Sequence, residues 1–271
     1  MAEDMLGKKI NRLKEILREL GSFAIAFSGG VDSTFLLAVA SKLSGIDIMA
    51  ITASSPMSAY REIKEARETT VRLKVKHTII KMDLLESPSL KANPPERCYI
   101  CKKILFTKFL NLAEKQGLRY LTDGTNHDDL KAYRPGLRAL KELGARSPLA
   151  EAGFTKEDIR RYSKIMGLPA WDAPPLACLA TRIPYNEEIT AAKLKMIDRA
   201  EEFIRSLGFR QVRVRYHYPI ARIELDPADI SRLIELPMRK KTVKRLKAIG
   251  FGHIAIDMEG YRTGSMDEQK D

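Results

Sequence analysis

The sequence contains no stretch that predicts a membrane span or a secretion signal. Its 271 residues include no run approaching the roughly 18 to 20 apolar residues that a membrane-spanning helix requires. The first residues, MAEDMLGKK, carry charge where a signal peptide has its apolar core. We therefore expect a cytoplasmic protein that does not associate with membranes.

Cysteine is scarce as well. The chain has 3 cysteines, and Cys98, Cys101 and Cys178 cannot all pair with one another. In a large intracellular chain, a CxxC pair favours metal binding or catalysis over a disulfide. Three thiolates suit a 4Fe-4S cluster with one open iron, which can bind sulfide. Zinc stays open, since one of the 4 histidines could be a fourth ligand. The third alternative is an incidental CxxC and an inert Cys178.

Internal repeats and low-complexity tracts are absent, and the composition is that of a globular protein. Hydrophobic residues make up 44% and charged residues 30% of the chain, which is sufficient for one large α/β domain with a small companion. Lysine and arginine outnumber aspartate and glutamate by 47 to 35, so the net charge is +12. This excess favours phosphate-bearing partners, either polymers or small nucleotides.

Hydrophobic periodicity predicts alternating helices and strands in the first half of the chain. The predicted elements are a helix over 6–20, a strand over 22–27, a helix over 31–43, a strand over 47–53, a helix over 58–73, a strand over 76–82, a helix after 98 and a strand over 119–122. This alternation predicts a parallel, doubly wound sheet.

The second half has a different pattern. Prolines interrupt residues 128–185, where only a helix over 155–166 is predicted. A helix from 190 to 207, two strands, two short helices and a last strand follow. We expect two domains: residues 1–185 with the parallel sheet and the cysteine site, and residues 186–271 as a smaller α+β domain that binds substrate.

The segment between the first strand and its helix predicts a phosphate site. Residues 28–33 read SGGVDS, in which glycines permit a tight turn and the helix-start N–H groups face an anion. Asp32 suits this loop if Mg²⁺ bridges its carboxylate to the phosphates. The alternative is a glycine-rich turn without a ligand.

A second part of the same site is predicted after the fourth strand, where residues 123–129 read DGTNHDD. Ligands of open α/β sheets bind beyond the carboxyl ends of the strands, so this segment should face the loop. Asp128 is the predicted second magnesium ligand. An aspartate-rich turn that caps a helix is the alternative.

The loop resembles the signature of the PP-loop ATP pyrophosphatases, which cleave ATP between the α- and β-phosphates and transfer AMP to an acceptor. Over most of the chain the sequence also resembles the ATP-dependent sacrificial sulfur transferases of the LarE family. The segments that carry this resemblance are SGGVDST, ERCYICKK, DGTNHDDLKAYRPG, PLACLATRIPY and QVRVRYH, in that order.

The resemblance implies which residues bind ATP and carry sulfur. The implied ATP-binding residues are Ser28, Gly29, Gly30, Val31, Asp32, Ser33, Gly124 and Asn126. Cys178 corresponds to the sulfur-carrying cysteine, which is left as dehydroalanine in members that have only that cysteine. With Cys98 and Cys101 present, the sequence is similar to the subgroup in which three cysteines hold a 4Fe-4S cluster that carries an extra sulfide. Repeated turnover is therefore expected.

The resemblance also implies the reaction. A carboxylate of pyridinium-3,5-biscarboxylic acid mononucleotide would be adenylated and converted to a thiocarboxylate during biosynthesis of the nickel-pincer nucleotide cofactor. Arg213 and Arg215 alternate on one face of a predicted strand and could bind the substrate phosphate. Ordinary exposed strand arginines are the alternative. Arg182 and Arg134 are further substrate-binding candidates.

Two other functional classes fit parts of the pattern. A PP-loop tRNA thiolase with a 4Fe-4S cluster would explain the positive charge through backbone contacts, but such thiolases usually have lysine where Val31 stands. An adenine-nucleotide sensor would not need the cysteines. We therefore expect a small nucleotide substrate, a sulfide or persulfide donor, a homo-oligomer and no nucleic-acid partner.

Overall fold

The computed structural model describes residues 2–131 and 134–266. It divides into two compact units. The first contains Met1–Ser55, Tyr60–Met82 and Glu96–Pro175, and the second contains Pro56–Ala59, Asp83–Pro95 and Leu176–Asp271. The domain division expected from the sequence stays a prediction.

The helices and strands follow one another in chain order. They are α1 Ala2–Leu20, β1 Ser22–Ala26, α2 Val31–Ala40, β2 Asp47–Ser54, α3 Tyr60–Leu73, β3 Lys76–Lys81, α4 Pro88–Lys91, α5 Arg97–Lys115, β4 Tyr120–Thr122, α6 Pro135–Glu142, α7 Pro148–Glu151, α8 Lys156–Ile165, α9 Ala191–Ser206, β5 Val212–His217, β6 Ile220–Leu225, α10 Ile230–Ile234, α11 Leu236–Ile249 and β7 His253–Ile256. Short 3₁₀ helices cover Leu84–Glu86, Asp128–Lys131, Leu179–Arg182 and Pro227–Asp229.

The first unit is built on a four-stranded sheet with the order β3-β2-β1-β4, and every strand pair is parallel. Side chains of β1 alternate between two cores. Phe23 and Ile25 belong to the cluster that includes residues of α1, α2 and α8, and Ala24 belongs to the cluster that includes residues of α5 and α6. Both sheet faces are therefore covered by helices, which confirms the predicted α/β fold.

The sheet order brings two loops to the same edge. β1 pairs with β4 in a register that places Ile25 opposite Thr122. Because parallel strands end at the same edge of a sheet, the loop after β1 and the segment after β4 leave the sheet side by side.

The second unit contains a smaller mixed sheet with the order β5-β6-β7. β5 is antiparallel to β6, and β7 is parallel to it. The apolar core of this sheet includes the fully buried side chains of Val212, Val214, Ile223 and Leu225.

Two helices lie where the sequence predicted loops. α6 and α7 both begin with a proline, Pro135 and Pro148. Proline is tolerated at the first helical position, because its missing N–H would have no helical acceptor there. Treating every proline in residues 128–185 as a helix breaker was therefore wrong. Within the described residues, no helix is long and apolar enough to cross a membrane.

Candidate active site

The loop after β1 is held by hydrogen bonds among its own residues. Ser28 Oγ lies 3.2 Å from Ser33 Oγ and accepts from the Gly30 N–H at 3.3 Å. The hydroxyl of Thr34 donates to the carbonyl of Gly29 at 3.3 Å. Gly29 has a φ of +77°, which favours glycine. The loop thus makes a tight turn before α2 begins.

No side chain caps the start of α2. Its N-cap residue is Gly30, which is extended and makes no side-chain capping hydrogen bond. The N–H groups of the first helical turn, at Val31, Asp32 and Ser33, are those that lack helical acceptors. Together with the positive end of the helix dipole they favour a bound anion. The geometry therefore suits the phosphate site predicted from the sequence.

Gly124 lies against this turn. A Cβ atom at Gly124 would be 2.8 Å from the backbone N and 3.1 Å from the Cα of Ser33. Only a residue without a side chain fits so close to the start of α2. The predicted residues Gly124 and Ser33 are therefore neighbours, on the segments that follow β4 and β1.

A lysine connects the two predicted magnesium ligands. The ammonium group of Lys156 donates to Oδ2 of Asp32. The backbone N–H of the same residue donates to Oδ2 of Asp128 at 2.8 Å. Asn126 donates from its side-chain amide to Oδ1 of Asp32 at 3.4 Å. Asp32 thus lies where a cation is favoured, and Asp128 caps the start of α8.

Lys156 is a candidate that the sequence analysis missed. It follows Thr155, the N-cap residue of α8, whose side chain forms a capping box with Asp158. A lysine in the first helical turn opposes the helix dipole, which favours acidic residues there. A lysine at a position that usually carries an acidic residue is the signal in the sequence that could have identified Lys156.

The remaining polar residues after β4 hold the segment in place. Asn126 Oδ1 accepts from the N–H groups of Asp128 and Asp129 at 3.0 and 3.1 Å. Asp129 in turn forms an ion pair with Arg134 at 2.8 Å, and the Arg134 side chain is 56% exposed. Arg134, predicted to bind substrate, thus belongs to the first unit and contacts the loop that carries Asn126.

Cys98 and Cys101 lie at the beginning of α5. Their spacing of three residues places both on one side of the helix, and Cys98 is exposed while Cys101 is partly buried. The side chain of Lys102 passes close to Gly136, where a Cβ atom would lie 2.8 Å from the Lys102 Cδ. The Lys102 ammonium is 3.9 Å from Asp123 Oδ2. The CxxC helix is thereby linked to the segment after β4.

A polar cluster on α6 also anchors the start of α5. The Tyr99 hydroxyl and the Lys103 ammonium donate to Oε2 of Glu142 at 2.8 and 2.7 Å. The guanidinium of Arg138 stacks 3.9 Å from the centre of the Tyr99 ring. The hydrogen bonds from Lys103 and Tyr99 lower the pKa of Glu142.

In the second unit, the exposed Cys178 directly precedes the 3₁₀ helix Leu179–Arg182. The buried Arg182 donates to the carbonyl oxygens of Ala177 and Cys178 at 2.8 and 3.0 Å. It also makes a two-pronged ion pair with Glu201 at 2.8 and 3.1 Å. Arg182 thus fixes the backbone that presents the Cys178 side chain.

Glu201 is the centre of a buried arginine cluster. Besides Arg182, its carboxylate accepts from Arg205 at 2.6 Å and from the N–H of Val214 at 3.1 Å. Burial of the Glu201 carboxylate opposes its ionisation. This effect is outweighed by the charge and hydrogen bonds of Arg182 and by the charges of Arg205 and Arg213, so the pKa of Glu201 is lowered to about 2.

Arg213 and Arg215 are both buried, two residues apart on β5, but have different surroundings. Burial and the charge of Arg182 lower the pKa of Arg213 to about 10, and its guanidinium lies 5.2 Å from the Tyr261 ring centre. Arg215 makes a two-pronged ion pair with the buried Glu224 at 2.9 and 2.6 Å and donates to the Thr181 carbonyl at 3.0 Å. Neither is the exposed strand arginine that the sequence left as an alternative.

No group of three or more histidine, cysteine, aspartate or glutamate side chains that could hold a metal ion is found within residues 2–131 and 134–266. Mg²⁺ in nucleotide sites usually takes one or two protein carboxylates and completes its shell with phosphate oxygens and water, so this finding is compatible with magnesium at Asp32. The predicted cluster ligands are divided between the two units, with Cys98 and Cys101 in the first and Cys178 in the second.

Comparison with known proteins gives the family. The asparagine synthase family model matches residues 13–87, which include the phosphate loop. Pyridinium-3,5-bisthiocarboxylic acid mononucleotide synthase of Lactiplantibacillus plantarum is 34% identical over 264 residues, covering 97% of this chain and 95% of the relative. The chain belongs to the LarE family of PP-loop sulfur transferases. It is therefore an ATP-dependent enzyme that transfers sulfur.

Two further relatives match over nearly the whole chain as well. An uncharacterised protein of Synechocystis sp. is 41% identical over 263 residues, or 97% of this chain and 98% of the relative. An uncharacterised protein of Methanocaldococcus jannaschii is 34% identical over 260 residues, or 94% of this chain and 98% of the relative. Both matches therefore extend over the two units.

Proposed function

We propose that this enzyme adenylates a carboxylate of pyridinium-3,5-biscarboxylic acid mononucleotide and replaces it with a thiocarboxylate, in biosynthesis of the nickel-pincer nucleotide cofactor. The observation that carries the proposal is the match to the synthase of L. plantarum, which is named for the corresponding bisthiocarboxylic acid mononucleotide. A match over 97% of this chain includes both the phosphate loop and the segment around Cys178.

The first unit supplies the groups for ATP. The N–H groups at the start of α2 would bind the pyrophosphate part of ATP, with Ser28 and Ser33 beside them. Asp32 would hold Mg²⁺, which offsets phosphate charge when bound. The Lys156 ammonium, now on Asp32, would move to a phosphate oxygen, because Mg²⁺ then neutralises that carboxylate. Gly124 and Asn126 complete the proposed ATP site.

The second unit supplies positive charge for the substrate phosphate. Three guanidinium groups, those of Arg182, Arg205 and Arg213, act on the single carboxylate of Glu201. Burial, and after it the charge of Arg182, lower the pKa of Arg213, so its charged form is disfavoured at this position. An anion beside Arg213 would relieve that repulsion. Arg215 would act mainly by holding β5 through Glu224, and Arg134 would be a peripheral contact.

The reaction follows from elementary acyl chemistry. A carboxylate oxygen of the substrate attacks the α-phosphorus of ATP, and pyrophosphate leaves. A sulfur nucleophile then attacks the activated carbonyl carbon, and AMP leaves with the former carboxylate oxygen. The product is a thiocarboxylate, and with sulfide as the nucleophile no oxidant or reductant is consumed.

Cys178 would take part in sulfur delivery as one of three thiolates that hold a cluster, with its backbone held by Arg182. The donor set of three thiols fits a 4Fe-4S cluster chemically, because Cys98 and Cys101 share one side of a helix start and lie beside Lys102 and Lys103. When bound, such a cluster would carry the extra sulfide supplied by a sulfide donor, or by a persulfide donor together with a two-electron reductant such as a thiol. We further propose a homo-oligomer for the working enzyme.

The test is to incubate the anaerobically purified enzyme with ATP, Mg²⁺, sulfide and pyridinium-3,5-biscarboxylic acid mononucleotide. The proposal predicts AMP, pyrophosphate and a product heavier by the exchange of one oxygen for one sulfur. ADP as the nucleotide product, or transfer of sulfur to bulk tRNA in place of the mononucleotide, would contradict it. The ultraviolet-visible spectrum with iron and sulfide content tests the cluster separately.

A further inference from the structure

Phe27, the residue directly before the phosphate loop of residues 28–33, is held at both polar groups of its backbone. Its N–H donates to the carbonyl of Ile51 at 2.8 Å, and its carbonyl accepts from the hydroxyl of Thr52 at 2.7 Å. Ile51 and Thr52 belong to β2, the strand that pairs with β1. The Phe27 carbonyl and the Ser28 N–H are parts of one planar peptide group. The Thr52 hydroxyl therefore orients the peptide group that leads into the loop.

A histidine connects this hydroxyl to helix α3. Nε2 of His77, on β3, lies 2.8 Å from Oγ1 of Thr52, and its Nδ1 lies 3.0 Å from Oγ1 of Thr70 on α3. Both threonines are buried. The imidazole also packs edge-on against the Phe27 ring, with 6.1 Å between the ring centres. A continuous row of polar groups thus runs from α3 through β3 and β2 to the residue before the loop.

The number of hydrogens in this row fixes the direction of its bonds. A carbonyl can only accept, so the one hydroxyl hydrogen of Thr52 points at Phe27. The contact between Thr52 and His77 then requires the ring hydrogen on Nε2. Burial lowers the pKa of His77 and the charge of Arg67 lowers it further, so the neutral ring is favoured and its Nδ1 accepts from the Thr70 hydroxyl. All three donors therefore point towards the loop, an arrangement in which each bond strengthens the next.

Helix α3 also packs directly against the loop. A Cβ atom at Gly29 would lie 3.5 Å from the carbonyl oxygen of Glu62 and 3.6 Å from the Cα of Ala66. Ala66 is one helical turn before Thr70. The helix that holds the first hydroxyl of the row is therefore the helix on which the glycine turn rests.

We propose that His77 is a positioning residue for ATP cleavage: by holding the Thr52 hydroxyl, it fixes the peptide group that leads into the phosphate loop. His77 touches neither ATP nor substrate in this account. The inference rests on the proposed function for the role of the loop in binding pyrophosphate. It goes beyond that function in naming two residues outside the loop, His77 and Thr52, on which the geometry of the loop depends.

The expected consequence is a loss of rate that depends on the hydroxyl and on the ring nitrogen together. Thr52→Val should release pyrophosphate about tenfold more slowly than the wild type, and His77→Phe about three- to tenfold more slowly, which is the loss expected for one hydrogen bond. Because the ring acts through Thr52, the double variant should be no slower than Thr52→Val alone. Thr52→Ser keeps the hydroxyl and His77→Gln keeps an N–H donor, so both should recover much of the rate.

The experiment combines kinetics with nuclear magnetic resonance on the full-length protein. Pyrophosphate release is measured with ATP, Mg²⁺ and the mononucleotide substrate for the wild type and each variant. Thr122→Val is the matched control, because the buried Thr122 hydroxyl donates to a carbonyl of the same strand β1, that of Ala24, at 3.1 Å. The ¹⁵N spectrum of the histidine rings gives the tautomer of His77, which is assigned among the 4 histidines by its loss in His77→Phe.

The inference predicts a neutral His77 with its hydrogen on Nε2, slow release in Thr52→Val and His77→Phe, recovery in the two conservative variants, and wild-type release in Thr122→Val. A hydrogen on Nδ1 in place of Nε2, or losses that multiply in the double variant, would overturn it. ADP formation by the wild type would refute the proposed function on which the inference rests, whereas AMP and pyrophosphate formed at equal rates by the wild type and Thr52→Val would refute the inference alone. If Thr52→Val does not fold, the comparison of His77→Phe with His77→Gln decides, with loss in the first and recovery in the second expected.

Discussion

Replacing Gly124 with alanine tests whether the close contact between two loops sets the geometry of the phosphate site. The new Cβ would lie 2.8 Å from the Ser33 N, 3.1 Å from the Ser33 Cα and 3.3 Å from the Asp32 carbonyl carbon. All three are backbone atoms at the start of α2, so no side chain can rotate away. Ordinary contact is about 3.5 Å, which requires a shift of roughly 0.7 Å.

The cost of this shift can be estimated in two ways. Overpacking at a closely packed position destabilises a protein by about 1–3 kcal/mol. A displacement approaching 1 Å in a group that positions substrate can lower the rate by about 100-fold. We therefore expect Gly124→Ala to unfold at lower urea concentration and to release pyrophosphate roughly 10- to 100-fold more slowly than the wild type.

Gly7→Ala is the control for this experiment. Gly7 lies in α1, and a Cβ there meets no atom within 4 Å. Alanine should stabilise that helix by about 0.5–1 kcal/mol and leave pyrophosphate release unchanged. Wild-type stability and wild-type pyrophosphate release in Gly124→Ala would refute the argument that the packing of this glycine shapes the phosphate loop.

Three further predictions follow from the two sites. Lys156→Ala should slow pyrophosphate release about 100-fold, because a phosphate-facing cation is lost. The control Lys108→Ala, at an exposed lysine of α5, should release pyrophosphate at the wild-type rate. Equal rates for the two variants would show that Lys156 is not part of the site. The pKa of Glu201 is lowered from 4.5 to about 2, so ionised Glu201 should stabilise the fold by about 3 kcal/mol above pH 4.5. This contribution should disappear as the pH falls towards 2. In urea unfolding, Glu201→Gln should be less stable than the wild type at pH 7, and its stability should lack this dependence on acid. Cys98→Ala should abolish the absorption near ~400 nm that cluster ligation produces, together with repeated turnover; stoichiometric dehydroalanine at Cys178 in the wild type would instead show that Cys178 is the sulfur source.

The fold and the phosphate site could be predicted because their signals are local. A short apolar strand, a glycine turn and an apolar helix in succession identify β1 to within one residue and the first residue of α2, which ends at Ala40, three residues before the predicted end. The parallel sheet follows from the repetition of that unit. Helices α6 and α7 were missed because Pro135 and Pro148 were taken as breakers, although each occupies the first helical position.

The partners of the candidate residues could not be predicted, because they come from distant parts of the chain. Lys156 contacts a carboxylate 124 positions away, and nothing near either residue in the sequence relates them. Arg213 and Arg215 were correctly placed on one strand, but their burial depends on Glu201 in α9 and Glu224 in β6.

The central claim is that a substrate carboxylate is adenylated before sulfur replaces one of its oxygen atoms. Oxygen isotopes test this claim most directly. Pyridinium-3,5-biscarboxylic acid mononucleotide labelled with ¹⁸O in its carboxylates is incubated with the enzyme, ATP, Mg²⁺ and sulfide, and the nucleotide product is analysed by mass spectrometry. The account predicts AMP that carries one ¹⁸O atom for each thiocarboxylate formed, since AMP leaves with the carboxylate oxygen. Unlabelled AMP, or ¹⁸O in inorganic phosphate accompanied by ADP, would contradict it.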